Sequence, residues 1–227
     1  MIGIADDQTS RRYKAVIFDF EGTLVDFQWQ LAPAEEQLRC AFTELGFHGE
    51  EFSKGNYATM WNAAADLRAP QGRMPELRAA LSPIYDRWDS DALARWTPRP
   101  GSIDMLSQLM TGGLKVGMVS NIGRVTLTEA LRNFDYARLL TPVVSRDDVT
   151  YMKPRAEGIL RVLADWRVTA GEALFVDDSL ADVCGARAAN VAVAILRGGE
   201  AAATAFSENQ PDYMISDLSE LIELAAK

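Results

Sequence analysis

Histidine and cysteine are nearly absent from this 227-residue chain: there is one histidine, His48, and there are two cysteines, Cys40 and Cys184. Two cysteines cannot build a disulfide framework or a multi-cysteine zinc site, and they are expected to pack as small hydrophobes. A single histidine excludes any mechanism that needs a pair, and a Ser-His-Asp triad would depend on His48 alone. Long apolar runs are missing too. The strongly apolar stretches, such as 191–196, have the length of a strand and cannot span a bilayer. The opening MIGIADDQTSRR shows no apolar segment behind a basic start, and Arg11 and Arg12 read as a solvated leader. A cytoplasmic location is expected, in keeping with free cysteines. Positive charge is scarce: 23 Lys and Arg against 32 Asp and Glu leave a net charge of -9. Such a surface repels nucleic-acid phosphate and anionic lipid, so neither is an expected partner. The remaining composition, 48% hydrophobic and 24% charged, is that of a globular chain long enough to bury roughly 70% of its unfolded surface.

The apolar residues are arranged in two periods. Residues 14–18 form a short apolar, β-branched run that ends abruptly at Asp19, as a buried parallel strand does, and 114–119, 173–176 and 191–196 resemble it. A weaker strand is expected at 142–145. Helical spacing lies between the runs. Ile103, Leu106, Leu109 and Met110 mark a helix stopped by Gly112-Gly113, and Leu127, Leu131 and Phe134 mark another. Further helices are expected around Ile159 to Trp166, opened by Pro154, and at 181–189 and 216–227. This alternation predicts an α/β fold with a doubly wound, Rossmann-like parallel sheet. Residues 27–96 break it. They carry helical periodicity throughout, hold four of the five tryptophans, and close at Pro98-Arg99-Pro100-Gly101. The chain therefore divides into a core of 1–26 and 97–227 and an all-helical insertion of 27–96.

In an open parallel sheet, ligands bind beyond the carboxyl ends of the strands. Asp19, Ser120 and Asp177-Asp178 stand there, joined by Glu21 and Asp182. Five carboxylates aimed at one edge repel one another and need a counter-charge, most simply a divalent cation and a lysine. An all-oxygen donor set selects magnesium.

Four segments, Asp19-Phe20-Glu21-Gly22-Thr23-Leu24, Ser120-Asn121, Lys153-Pro154 and Asp177-Asp178-Ser179-Leu180-Ala181-Asp182, resemble in order and spacing the motifs of the haloacid dehalogenase-like (HAD) hydrolases. The helical block resembles the C1 cap of the phosphoglycolate phosphatase-like branch. The resemblance implies a magnesium-dependent phosphatase that acts on a small phosphate monoester through an aspartyl-phosphate. Asp19 would be the nucleophile. Glu21 would be the general acid and then base, its backbone carbonyl also meeting magnesium. Thr23 would fix the loop and, with Ser120, Asn121 and Lys153, hold the phosphoryl group. Asp178 and Asp177 would ligate the metal, and Asp182 would support them. The assembly would be a monomer or homodimer.

Glu21 departs from the pattern, since most phosphatases of the superfamily have aspartate there. Enolase-phosphatases resemble this chain in using Asp-x-Glu-Gly-Thr, so glutamate is chemically workable. A phosphomutase would keep every motif, and a decayed, non-catalytic binding protein is the reading that Glu21 keeps open. A dehalogenase would not keep the acids at 21, 177, 178 and 182. A phosphonate hydrolase needs a cap lysine, and 27–96 has only Lys54, read as a surface residue. His48, Arg68 and Arg73 are read as solvated, and the cap tryptophans as core.

Overall fold

The structure, a computed structural model, describes residues 12–198 and 210–226; Arg11 and Lys227 lie outside the described residues. Six strands form one parallel sheet: β1 (Ala15–Phe18), β2 (Lys115–Val119), β3 (Val143–Val144), β4 (Ala173–Asp177), β5 (Ala192–Leu196) and β6 (Tyr213–Ile215), in the order β3-β2-β1-β4-β5-β6. Five follow the apolar runs. The sixth has no counterpart among them, because Tyr213-Met214-Ile215 is too short to show a period of its own and is strand only through pairing with β5.

The helices are α1 (Leu31–Glu44), α2 (Glu50–Ser53), α3 (Tyr57–Arg68), α4 (Met74–Leu93), α5 (Ser102–Thr111), α6 (Arg124–Asn133), α7 (Glu157–Trp166), α8 (Leu180–Ala188) and α9 (Glu220–Ala226). Alternate strand residues serve opposite faces of the sheet. Val16, Phe18, Leu174 and Val176 pack with α5, α6 and α9, while Ala15, Ile17, Phe175 and Val193 pack with α7 and α8. Among the described residues no strand lies between 27 and 96; α1, α3 and α4 pack on one another, and α4 also meets α6 of the core. No helix of the described residues is long and apolar enough to cross a membrane.

Three expectations need correction. Cys40 and Cys184 are exposed, not packed. Cys40 lies between Leu38 and Phe42, which carry the buried face of α1, and Cys184 lies off the face made by Val183 and Ala186. Pro154 does not open α7; the helix starts at Glu157, whose carboxylate accepts the N–H groups of Thr150 and Tyr151 and so ties the preceding loop to it. The last helix starts at Glu220 rather than at 216, because the Glu220 side chain accepts the N–H groups of Ser216 and Asp217 and caps the turn before it.

Candidate active site

β1 is central, and the chain runs from it to β2 on one side and returns to β4 on the other. The sheet therefore splits its connections there, where a crevice forms beyond the strand ends. The Asp19 N–H donates to the Val176 carbonyl at 2.9 Å, which sets Asp19 beside Asp177. Ser120 follows β2, its N–H bonded to the Val144 carbonyl at 2.9 Å. Gly22 has φ +85, and a Cβ on it would lie 2.2 Å from the Asp178 carboxylate. Only glycine combines that turn with so close an approach.

Four buried carboxylates converge: Asp19, Asp177, Asp178 and Asp182. Lys153 Nζ lies 2.7 Å from Asp19 Oδ1, 2.7 Å from Asp177 Oδ2 and 3.0 Å from Asp182 Oδ2. Burial alone would lower the pKa of Lys153, but the three acids around it reverse that and raise it well above its usual value. Burial pushes Asp19 and Asp182 well above the usual carboxylate range, opposed by Lys153. Thr23 Oγ1 donates to Asp178 Oδ1 at 3.3 Å. Oxygens of Asp19, Asp177 and Asp178 lie within 4.8 Å of one another. Hard oxygen donors that close, in excess over their one lysine, match a divalent cation such as magnesium. The Asp182 carboxylate sits on Lys153, and the Glu21 carboxylate lies apart from this group.

Lys153 is placed by two asparagines. Asn121 Oδ1 accepts its backbone N–H at 2.9 Å, and Asn121 Nδ2 donates to its carbonyl at 3.2 Å. Asn62, on α3, grips Met152 in the same two-point way, at 2.8 and 3.0 Å. The lysine's loop is thus clamped from both the sheet and the helical block.

Glu21 is held differently. Its Oε1 accepts three N–H groups: Gln28 at 2.8 Å, Trp29 at 2.6 Å and the indole of Trp96 at 2.8 Å. Burial raises its pKa to about 7 despite these donors. The donors come from both ends of the helical block, so the longer glutamate arm has a socket of its own.

Sequence reasoning missed the side-chain roles of Trp29, Trp96, Asn121 and Asn62, and it missed Tyr57, Asp89 and Arg146 altogether. Asn56 caps α3, accepting from Ala58 at 3.1 Å and Thr59 at 2.8 Å, and so stands Tyr57 at the helix start, facing the crevice. Asp89 on α4 is fully buried. It accepts from Arg146 Nη1 at 2.8 Å, the Gly123 N–H at 2.9 Å and Trp29 Nε1 at 3.1 Å. The asparagine cap before Tyr57 was a readable signal; the Asp89–Arg146 pairing, 57 positions apart, was not. Trp29, Trp61 and Trp96 are buried, as expected of core tryptophans, and Trp88 is half-buried. His48 and Lys54 are exposed, and Lys54 pairs with Glu50 at 2.6 Å. Arg73 is exposed and pairs with Glu76, while Arg68 lies over the Phe47 ring.

Comparison with known proteins gives one consistent answer. Residues 16–196 match the model of the haloacid dehalogenase-like hydrolase family. A phosphoglycolate phosphatase of Salmonella paratyphi A is 29% identical over 230 residues, covering 92% of this chain and 91% of the relative. YfnB of Bacillus subtilis, solved bound to magnesium, superposes with a TM-score of 0.63 at 20% identity, over 95% of this chain and 100% of that one. A HAD family hydrolase of Deinococcus radiodurans, solved with bound phosphate and sodium, gives 0.61 at 18% identity, over 92% and 93%.

Proposed function

The chain belongs to the haloacid dehalogenase-like hydrolases, and on that footing we propose that it is a magnesium-dependent phosphatase of small phosphate monoesters, working through an aspartyl-phosphate. The observation that carries this reading is the convergence of Asp19, Asp177 and Asp178 beside Lys153, with a separately held carboxylic acid, Glu21, on the same crevice. The phosphatase relative and the magnesium-bound and phosphate-bound neighbours support it.

The Asp19 carboxylate attacks phosphorus and displaces the alcohol oxygen. Glu21 gives its proton to that oxygen. Its Oε1 is taken by three N–H donors, which leaves Oε2 for the exchange, and a pKa near 7 suits a group that must give and regain a proton. The resulting Glu21 carboxylate then takes a proton from water, which attacks the phospho-aspartate and frees phosphate. Lys153, the Ser120 hydroxyl and the Asn121 backbone N–H hold the phosphoryl oxygens, where fixed donors stabilise the charge of the transition state. Asp19, Asp177, Asp178 and the Glu21 carbonyl would hold magnesium, which when bound supplies positive charge to the phosphoryl oxygens. Residues 27–96 act as the cap that excludes water and selects substrate.

Turnover of p-nitrophenyl phosphate with magnesium, and its loss on chelation, tests the reading. Activity that survives exhaustive chelation would sink it. Brief exposure to radiolabelled substrate should label Asp19, and label on another residue would contradict the mechanism.

A further inference from the structure

The alcohol half of the substrate leaves its own mark on the site, given the phosphatase reading above. Two adjoining cavities occupy the crevice. One, about 40 Å³ for water centres, lies over Asp19, Ser120 and Lys153. The other, about 20 Å³, is walled by Phe27, Trp29, Tyr57, Asn121 and Ile122 and by the side chains of Glu21 and Asp89. One water centre needs about 10–15 Å³, so together they hold only a few. Glu21, Phe27, Tyr57, Asn121 and Ile122 line both, so the two are neighbours across shared walls. Asp19 marks the phosphorus and Glu21 marks the leaving oxygen. The alcohol must therefore point into the second cavity.

No cation lines that second cavity among the described residues. Among the described residues lining the two cavities, Lys153 is the only cation, and three carboxylates already surround it at 2.7 to 3.0 Å. The guanidinium of Arg146 lies behind Asp89, is 1% exposed, and is occupied by Asp89 and Asp86. The rings of Trp29 and Tyr57, with centroids 4.8 Å apart, bring apolar surface and no positive charge to the cavity wall. A carboxylate on the alcohol would enter a space whose described lining offers no free cation: Asp89 already holds Arg146, and Glu21 carries its proton when the ester binds.

We propose that this site selects phosphate monoesters of compact alcohols that carry no negative charge, neutral or ammonium-bearing, and discriminates against esters of hydroxy acids. The substrate named for its phosphoglycolate phosphatase relatives is therefore not transferred to this chain.

The test is kcat/KM, with magnesium present, on three esters of similar size: 2-phosphoglycolate, n-propyl phosphate and 2-aminoethyl phosphate, with p-nitrophenyl phosphate as control. Phosphoglycolate should be the poorest by at least about tenfold, since one unpaired charge at close range in a partly buried site is worth that much or more. Any ranking in which phosphoglycolate is not the lowest overturns the proposal. Turnover of the nitrophenyl ester with none of the three accepted also overturns it, while leaving the phosphatase reading intact. Failure of all four esters, with no phosphate released from a wider panel of small phosphate monoesters in magnesium, would overturn the phosphatase reading itself. A second arm uses Phe27→Lys, at a half-buried position, with folding checked by thermal melting. It should raise phosphoglycolate relative to propyl phosphate by about tenfold. An unchanged ratio in the folded variant places the alcohol elsewhere and overturns the assignment.

Discussion

Lys153 and Arg146 are both buried cations among aspartates, one at the strand ends and one where α4 meets the core. Around Arg146 the acids are matched, although its buried Nε–H finds no acceptor. Both oxygens of Asp89 are taken, by Arg146, Trp29 and Gly123, and the remaining acid, Asp86, is half in water. Around Lys153 they are not. Four buried acids share one lysine, and three of them crowd their oxygens together. A cluster whose acids are all paired holds two parts of a protein together, whereas an over-acidic one has been left to receive something positive. The distinction rests on counting donors against acceptors, not on burial or on the presence of an ion pair, which the two clusters share.

Substitutions in the two clusters should therefore have opposite signatures. Asp19→Asn should reduce turnover on the order of 10⁴-fold or more, because an amide cannot attack phosphorus. The same change should leave the denaturation midpoint unaltered or higher, since it removes one of four mutually repelling carboxylates. A stability loss comparable to that of an Asp89 variant would erase the contrast.

Asp89→Ala should act the other way, costing about 3–5 kcal/mol of folding stability by leaving Arg146 buried beside Asp86 alone. Urea melts measure it. Replacing both partners, with Asp89→Leu and Arg146→Met, should cost less than the single change, and an equal or larger loss would show that the ion pair is not the reason.

Glu21→Gln should lower turnover of alkyl phosphates by at least about 100-fold, and the loss in the first step should shrink for p-nitrophenyl phosphate, whose leaving group needs no proton. Phospho-enzyme breakdown should stay slow for both, because water still needs a base. A uniform loss in both steps for every ester would remove Glu21 from proton transfer.

The smallest expected effect is on melting. Magnesium at 100 times its dissociation constant adds about 2.7 kcal/mol to the folded state, roughly 5–10 °C for a chain of this size. Asp178→Asn should abolish most of that rise, whereas Asp89→Ala should lower the baseline and keep the rise. An equal response in all three proteins would place the cation elsewhere.

Much of the site is legible in the order of the amino acids. Asp19, Ser120 and Asp177-Asp178 each follow an apolar run directly, and a strand that ends in a carboxylate announces its position in a parallel sheet. Lys153 is legible only by resemblance, since nothing in its neighbourhood along the chain shows that it meets three acids. The socket of Glu21 is not legible, because its three donors come from positions 28, 29 and 96 and converge only when the helical block closes back on β1. The tryptophans illustrate the limit well. They read as core, and Trp29 and Trp96 are buried, but each also spends its indole N–H on an acid at or beside the crevice.

The sequence by itself determined the alternation of strands and helices, the helical insertion and the strand-end carboxylates, because apolar periodicity and the abrupt end of a buried run are local and are written residue by residue. The tertiary structure decided which acids meet: Asp177 and Asp182 on Lys153, Asp89 on Arg146, and Glu21 among backbone and indole N–H groups. It also decided that the cavity beside Glu21 is walled by aromatic rings and by the side chains of Glu21 and Asp89. Those outcomes depend on where α3 and α4 lie against the sheet. Charge and hydrogen-bond matching across tens of residues is a property of the packed arrangement, and no single stretch of chain encodes it.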